Sequence, residues 1–415
     1  MALSMAEKHA LTRRLCGDYR RAAKAEKGRI LDTLCELSGY SRDHAARLLR
    51  AGPPPKKASK SRRVRPRIYD AEVLFALRKI WATLDGICGK RLVAAMAPTL
   101  QAMERHRELA LTSSVRDKLL SVSAATVDRM LAPDRSRFAL KSRSNTKPGT
   151  LLKHQIPIKT FQDWDEARPG FVEIDLVGHD GGVVRGEYCQ TLDVTDVATG
   201  WTETRAVRNK AQLHVFNALK MIRKAMPFPL LGIDSDNGAE FINKELMRYC
   251  EAERITFTRA RPYRKNDGCF VEQKNWSVVR RNVGYARFDT AEELETLNAL
   301  YAVLRDHTNF FMPSAKLISK TRHGAKVIKS HDTPATPYAR ALASSQVTDA
   351  VKQRLNKRFE SLNPVALKRE MVRLQKRLYK MIALKESIRR REVQPSDFDD
   401  IYNESTNIVF DDILT

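Results

Sequence analysis

The sequence predicts a multidomain protein in which α-helical N-terminal domains precede an α/β domain built on a mixed sheet flanked by helices. Two patterns carry that expectation. Up to about residue 133 apolar residues recur only at three- and four-residue spacing, the mark of amphipathic helices. From residue 171 three β-rich segments follow one another, broken by Gly181-Gly182 and Gly200, and helical and strand patterns then alternate. The length of 415 residues suits two or three domains, and 42% hydrophobic residues is enough for sizeable cores.

In the first helical segment Ile30, Leu31, Leu34 and Leu37 keep helical spacing until Ser38-Gly39-Tyr40 interrupts it. Ser41 is placed to cap a second helix, with Ala45, Leu48 and Leu49 on its apolar side and Arg42, Arg47 and Arg50 outside. Helix, glycine turn and short basic helix is the helix-turn-helix plan, so residues 1–55 are expected to bind DNA through Arg42 and Arg47. Residues 56–68 form a basic linker carrying Lys56, Lys57, Lys60, Arg62, Arg63, Arg65 and Arg67 without an acid; Arg62 and Arg63 are candidate phosphate contacts. Residues 69–133 read as a second helix-turn-helix-like domain. One stripe there is Val73, Leu74, Leu77, Ile80 and Trp81, another Leu92, Val93, Met96, Leu100 and Met103. Its last helix opens at Ser123 and carries Arg129 as a candidate DNA contact. Residues 134–164 are a second basic linker.

The formal charge of +25 narrows the partner class. So basic a chain repels itself unless a polyanion neutralises it, and nucleic acid is the commonest one. No stretch approaches the ~18 apolar residues of a membrane span, and the N-terminus lacks the apolar core of a secretion signal. The six cysteines are scattered without a CxxC pair, and the histidines show no ligand spacing. A reducing, cytoplasmic location without a membrane partner is expected.

Within the α/β domain, 165–310, strands are expected at 171–177, 188–194, 201–207, 230–233 and 255–258. Helices are expected at 211–224, 244–253, 271–283 and 291–307. Residues 311–350, with Pro313, Gly324, Pro334 and Pro337, are expected to wrap that domain. Residues 351–392 read as a basic helix, most regular over 365–391. Its stripe of Leu367, Met371, Leu374, Leu378, Met381 and Ile382 suits either another subunit or its own core. Residues 393–415 hold six acids and no Lys or Arg, an acidic tail.

Three acids stand where a fold needs none. Alternation in Phe171-Val172-Glu173-Ile174-Asp175-Leu176-Val177 sends Val172, Ile174 and Leu176 to one face and Asp175 to the other, inside a central strand. A carboxylate there is costly unless it is paired or binds a cation. Asp236 follows the apolar run Leu231-Gly232-Ile233, at a strand end where α/β sheets present ligands. Glu272 opens a helix reading Val271-Glu272-Gln273-Lys274-Asn275-Trp276, where Trp276 reads as core. Glu173, Asp193, Asp196 and Asp234 are rival acids, whereas His179 and Asp180 read as turn residues. Collected carboxylates of this kind suit phosphodiester chemistry, since two Mg²⁺ ions about 3.5–4 Å apart activate the nucleophile and stabilise the leaving oxygen.

Taken together, Val172-Glu173-Ile174-Asp175, Asp236-Asn237-Gly238-Ala239-Glu240-Phe241 and the run from Arg261-Pro262-Tyr263-Arg264-Lys265-Asn266-Asp267 into Val271-Glu272 resemble the catalytic core of the retroviral integrase superfamily, which includes bacterial insertion-sequence transposases. Between Asp236 and Glu272 lie 35 residues, the separation of that family's D,D,35-E signature. The resemblance implies an RNase H-like, five-stranded mixed sheet with helices on both faces. It implies that Asp175, Asp236 and Glu272 are the catalytic, metal-binding acids, holding two Mg²⁺ for which Mn²⁺ substitutes. It also implies 3′-end cleavage and strand transfer. Arg261, Arg264, Lys265 and Asn266, in the loop before the Glu272 helix, and Asn275 on that helix are candidate DNA contacts. The zinc-binding His/Cys domain of retroviral integrases has no counterpart, and helix-turn-helix units stand in its place. The expectation is a nucleoid-associated bacterial transposase acting as a homo-oligomer on double-stranded DNA, both element ends and target. Its rivals are an RNase H-like nuclease without joining activity and a DNA-binding regulator with an inactive core.

Overall fold

A computed structural model of the chain describes residues 3–52, 68–137, 168–235, 241, 244–259, 269–323 and 326–389. The chain divides into two compact units, Met1–Arg67 and Ile68–Thr415.

The described residues of the first unit form three helices, α1 (Met5–Arg21), α2 (Lys24–Ser38) and α3 (Arg42–Ala51). A capping box between Ser4 and Glu7 starts α1. Gly39, at φ 67°, ends α2 in the left-handed conformation that glycine adopts without strain. Ser41 occupies the N-cap of α3 as its sequence suggests, but its side chain makes no capping hydrogen bond. Cys16, Tyr19, Leu31, Leu34, Ala45 and Leu49 close the core between the three helices.

The second unit begins with α4 (Ala71–Thr83), α5 (Gly89–Arg105), α6 (Ser113–Ser121), α7 (Ala124–Met130) and α8 (Ala132–Arg137). A side chain at Gly89 would meet the Ala124 carbonyl oxygen at 2.3 Å, so glycine lets α5 lie against the start of α7. The expected boundary at residue 133 is not a break in packing. Leu77, Ile80, Leu92, Met96 and Val127 belong to one apolar cluster with Val172, Leu192 and Ile233 of the sheet. Direct bonds add to it: His307 Nε2 lies 2.8 Å from the Thr83 carbonyl, and Arg91 Nε donates to the Pro313 carbonyl at 2.5 Å. The fully buried Lys368 reaches Asp85 Oδ1 at 2.5 Å.

The sheet contains β1 (Phe171–Gly178), β2 (Gln190–Asp196), β3 (Thr202–Val207), β4 (Gly232–Ser235) and β5 (Thr256–Arg259) in the order β3-β2-β1-β4-β5. β1, β2 and β3 pair antiparallel; β4 and β5 run parallel to β1. β2 starts later than its β-rich sequence predicts, because the Cys189 N–H is taken by the Phe288 carbonyl at 2.7 Å. α9 (Gln212–Ala225) and α10 (Lys244–Ala252) cover the face of Val172, Ile174, Leu192 and Ile233 with Val215, Phe216, Leu219, Ile222 and Leu246. The opposite face is covered by α11 (Cys269–Lys274), a π-helical segment Asn275–Arg280, α12 (Arg281–Val283) and α13 (Ala291–Asp306), which ends in a second π-helical segment, His307–Phe311.

The rest differs from expectation in three ways. The region 311–350 is no plain wrapping segment: it holds a hairpin of β6 (Leu317–His323) and β7 (Lys326–His331), then α14 (Pro337–Ala343). The basic helix expected over 351–392 is two helices, α15 (Asp349–Ser361) and α16 (Pro364–Arg389). Asn363 Oδ1 accepts the N–H groups of Val365 and Ala366 and Pro364 takes the first helical position, so a new helix must start there. Finally, the stripe of α16 is not open to a second subunit: Met371, Leu374, Leu378 and Ile382 are buried with Val279, Val283, Leu297 and Leu300 of the same chain. Among the described residues no helix is long and apolar enough to cross a membrane.

Candidate active site

Strand alternation and register gather acids on the sheet face that α11 and α13 cover. Asp175 pairs with Asp193 across β1 and β2, and Glu173 pairs with Asp234 across β1 and β4, so these four side chains leave the sheet on one side. α11 crosses that side and brings Glu272, which is exposed, and Asn275, at the first position of the π-helical segment.

Each acid has its own surroundings. Asp175 is half-buried; its Oδ2 accepts the Asn275 side-chain amide at 2.5 Å and its Oδ1 the Leu176 N–H at 2.8 Å. Glu173 is buried, and its Oε2 accepts the backbone N–H groups of Phe270 at 2.8 Å and Val271 at 3.0 Å. Asp234 Oδ1 accepts the Thr258 hydroxyl at 2.7 Å. Asp196 is a turn-former: it accepts the N–H groups of Gly170 and Thr199, both at 2.7 Å, and the Thr199 hydroxyl at 2.5 Å. Asp193 is wholly buried, with one oxygen lacking a hydrogen-bond partner. Burial pushes its carboxyl up to about 8; the charge of Lys274 opposes this and that of Asp175 adds to it. Burial likewise brings the Lys274 ammonium down to about 8, against the pull of Asp193.

Asn275 thus meets Asp175, and Glu272 lies three residues before Asn275 on the helical segment that crosses this face. Asp236, the residue after β4, lies outside the described residues, as do Arg261, Arg264, Lys265, Asn266, Arg62 and Arg63. Arg42 forms an ion pair with Asp32 within the first unit, and Arg47 is exposed on α3. Arg129 is exposed on α7 and donates to the Thr126 hydroxyl at 3.1 Å. Trp276, read as core, is instead 55% exposed. His179 is no turn residue in solvent: it is fully buried, with Nε2 2.7 Å from the Thr191 hydroxyl, which bonds the Tyr301 hydroxyl in turn. Asp180 does shape the turn, accepting the Gly182 N–H at 3.0 Å. Lys274 was invisible as a site residue in the sequence, where Glu173 stood only as a rival acid on the inner face of a central strand.

Among the described residues no group of three His, Cys, Asp or Glu is placed to hold a metal ion. The chemistry of the donors nonetheless suits Mg²⁺. Asp175 and Glu272 offer hard carboxylate oxygens, and the Asn275 amide oxygen beside them is buried without a hydrogen-bond partner.

Comparison with known proteins gives three findings. The sequence model of the integrase core domain family matches residues 165–265. An uncharacterized protein of Sinorhizobium fredii, y4rM, is 41% identical over 338 residues, spanning 81% of this chain and 96% of that protein. Among solved structures, the catalytic core domain of BIV integrase is 18% identical and covers 41% of this chain and 91% of its own, with a TM-score of 0.28. The HTLV-2 integrase catalytic core domain in complex with magnesium is 14% identical and covers 35% and 91%, also at 0.28.

Proposed function

Because the chain belongs to the retroviral integrase superfamily, with an RNase H-like core, we propose that it is a bacterial insertion-sequence transposase that cleaves 3′ ends and joins them to target DNA. The observation that carries this reading is the hydrogen bond from Asn275 to Asp175: it ties the strand of the first acid to the helix of the third, which supports reading Asp175 and Glu272 as parts of one site. Asp236 completes the set, with 35 residues between it and Glu272.

Asp175, Asp236 and Glu272 would hold two Mg²⁺ or Mn²⁺ ions, which when bound activate a water or 3′-hydroxyl and stabilise charge on the leaving oxygen. The chain's own groups do the rest. Asn275 fixes one oxygen of Asp175 and leaves its orientation settled before DNA arrives. Arg261, Arg264, Lys265 and Asn266 hold scissile and target phosphates. Arg42 and Arg47 on α3, Arg62 and Arg63 in the linker and Arg129 on α7 contact the terminal repeats and flanking phosphates. One carboxylate set acts on one end at a time, so two paired ends call for a homo-oligomer on DNA.

The test is a joining assay with a pre-cleaved element end. Asp175→Asn, Asp236→Asn and Glu272→Gln should each abolish cleavage and joining while leaving DNA affinity intact, since amides keep the shape and lose the charge. Wild-type protein that nicks DNA but never joins it would make this a nuclease. Activity in Asp236→Asn with loss in Asp234→Asn would move the second ligand.

A further inference from the structure

Glu173 stands two residues before Asp175 and leaves β1 on the same side. The first N–H groups of any helix have no partner in their own ladder. In α11 two of them, those of Phe270 and Val271, are satisfied by Glu173 Oε2. An N-cap side chain does this locally in most helices; here the acceptor comes from a strand 97 residues earlier in the chain. A second grip lies further along the same helix, where Asn275 donates to Asp175. Strand β1 therefore holds the helix at both ends of the segment that carries Glu272.

We propose that Glu173 is a positioning residue for strand transfer, setting how the Glu272 carboxylate stands against Asp175; the proposal rests on reading those two acids as metal ligands. Glu173 touches no reacting atom in this scheme. It acts through where its oxygen sits, and its charge is secondary.

That distinction gives a test with opposite orders. Glu173→Gln keeps an acceptor oxygen at the same reach and loses the charge. Glu173→Asp keeps the charge and withdraws the acceptor by one methylene. With saturating pre-cleaved DNA and Mg²⁺, Gln should join at close to the wild-type rate. Asp should be slower by about 100-fold, the scale of an ångström's misplacement, with DNA affinity unchanged. In protein free of metal and DNA, hydrogen exchange at the Phe270 and Val271 amides should be faster in Asp than in Gln, on the order of 10-fold. The reverse order of joining rates, or both variants joining within about 3-fold of wild type, overturns the proposal. Exchange needs no activity, so it tests the clamp even if wild-type protein joins nothing, a result that would instead sink the functional reading.

Discussion

Asp193 and Lys274 show what it takes to keep charge beneath a sheet: each is driven toward its neutral form by burial and held back by the other. His179, bonded to the Thr191 hydroxyl, has no such partner. Burial lowers its imidazole to about 3, with the charge of Arg280 adding to the effect. Because the folded value lies below the unfolded 6.5, the unfolded chain takes up the proton first. Stability from this group is full above pH 6.5 and is lost as the pH falls towards 3. Between pH 7 and pH 5 the loss is about 2 kcal/mol. Urea unfolding of His179→Gln should lack that part of the decline. An identical pH dependence in variant and wild type would show that His179 is not the titrating group. None of this was legible beforehand, since His179-Asp180-Gly181-Gly182 has the composition of a turn and only the partner of Asp180 obeys it.

At the scale of elements the sequence was most readable where one face of a strand is apolar and buried. β1 follows its alternation, and the face assigned to Asp175 is the one found. Misreadings came where a tertiary partner decides. Trp276 counts as apolar in any pattern, yet the helix turns it to solvent. Within the basic region 351–392 the amphipathic helix expected at 365–391 is found as α16, and the part before it is a separate helix because Asn363 and Pro364 favour a helix start. α16 also shows why an amphipathic stripe does not name its partner. With Leu374 only 3% exposed in the core, Leu374→Ala should lower the unfolding free energy by about 2–5 kcal/mol. A change below about 0.5 kcal/mol, the range of surface substitutions, would mean that the stripe is not buried within its own chain.

For the whole molecule, the division into units changes where the chain can be cut. Removing residues 1–67 takes away one unit and leaves the apolar cluster of the other whole. That fragment should keep its cooperative thermal transition by circular dichroism and lose preference for element ends. Removing residues 1–133, the division suggested by helix patterns alone, strips α4 to α7 from the cluster they share with the sheet. The shorter fragment should therefore melt without cooperativity or be insoluble. A sharp transition in it, at the temperature of the longer fragment, would restore the boundary at residue 133.

The buried bond between Asp85 and Lys368 spans 283 residues of chain. At a synthesis rate of roughly 5–20 residues per second, the ribosome needs on the order of 15–60 s to travel that distance. Over that interval α4 and α5 exist without the helix that seals them, whereas the core described between α1, α2 and α3 is complete once residue 52 has emerged. The protein is thus completed out of step: its basic N-terminal unit is finished while the part carrying Asp175 is still waiting for its last helix. A chain released early would keep a folded first unit attached to an unsealed second one.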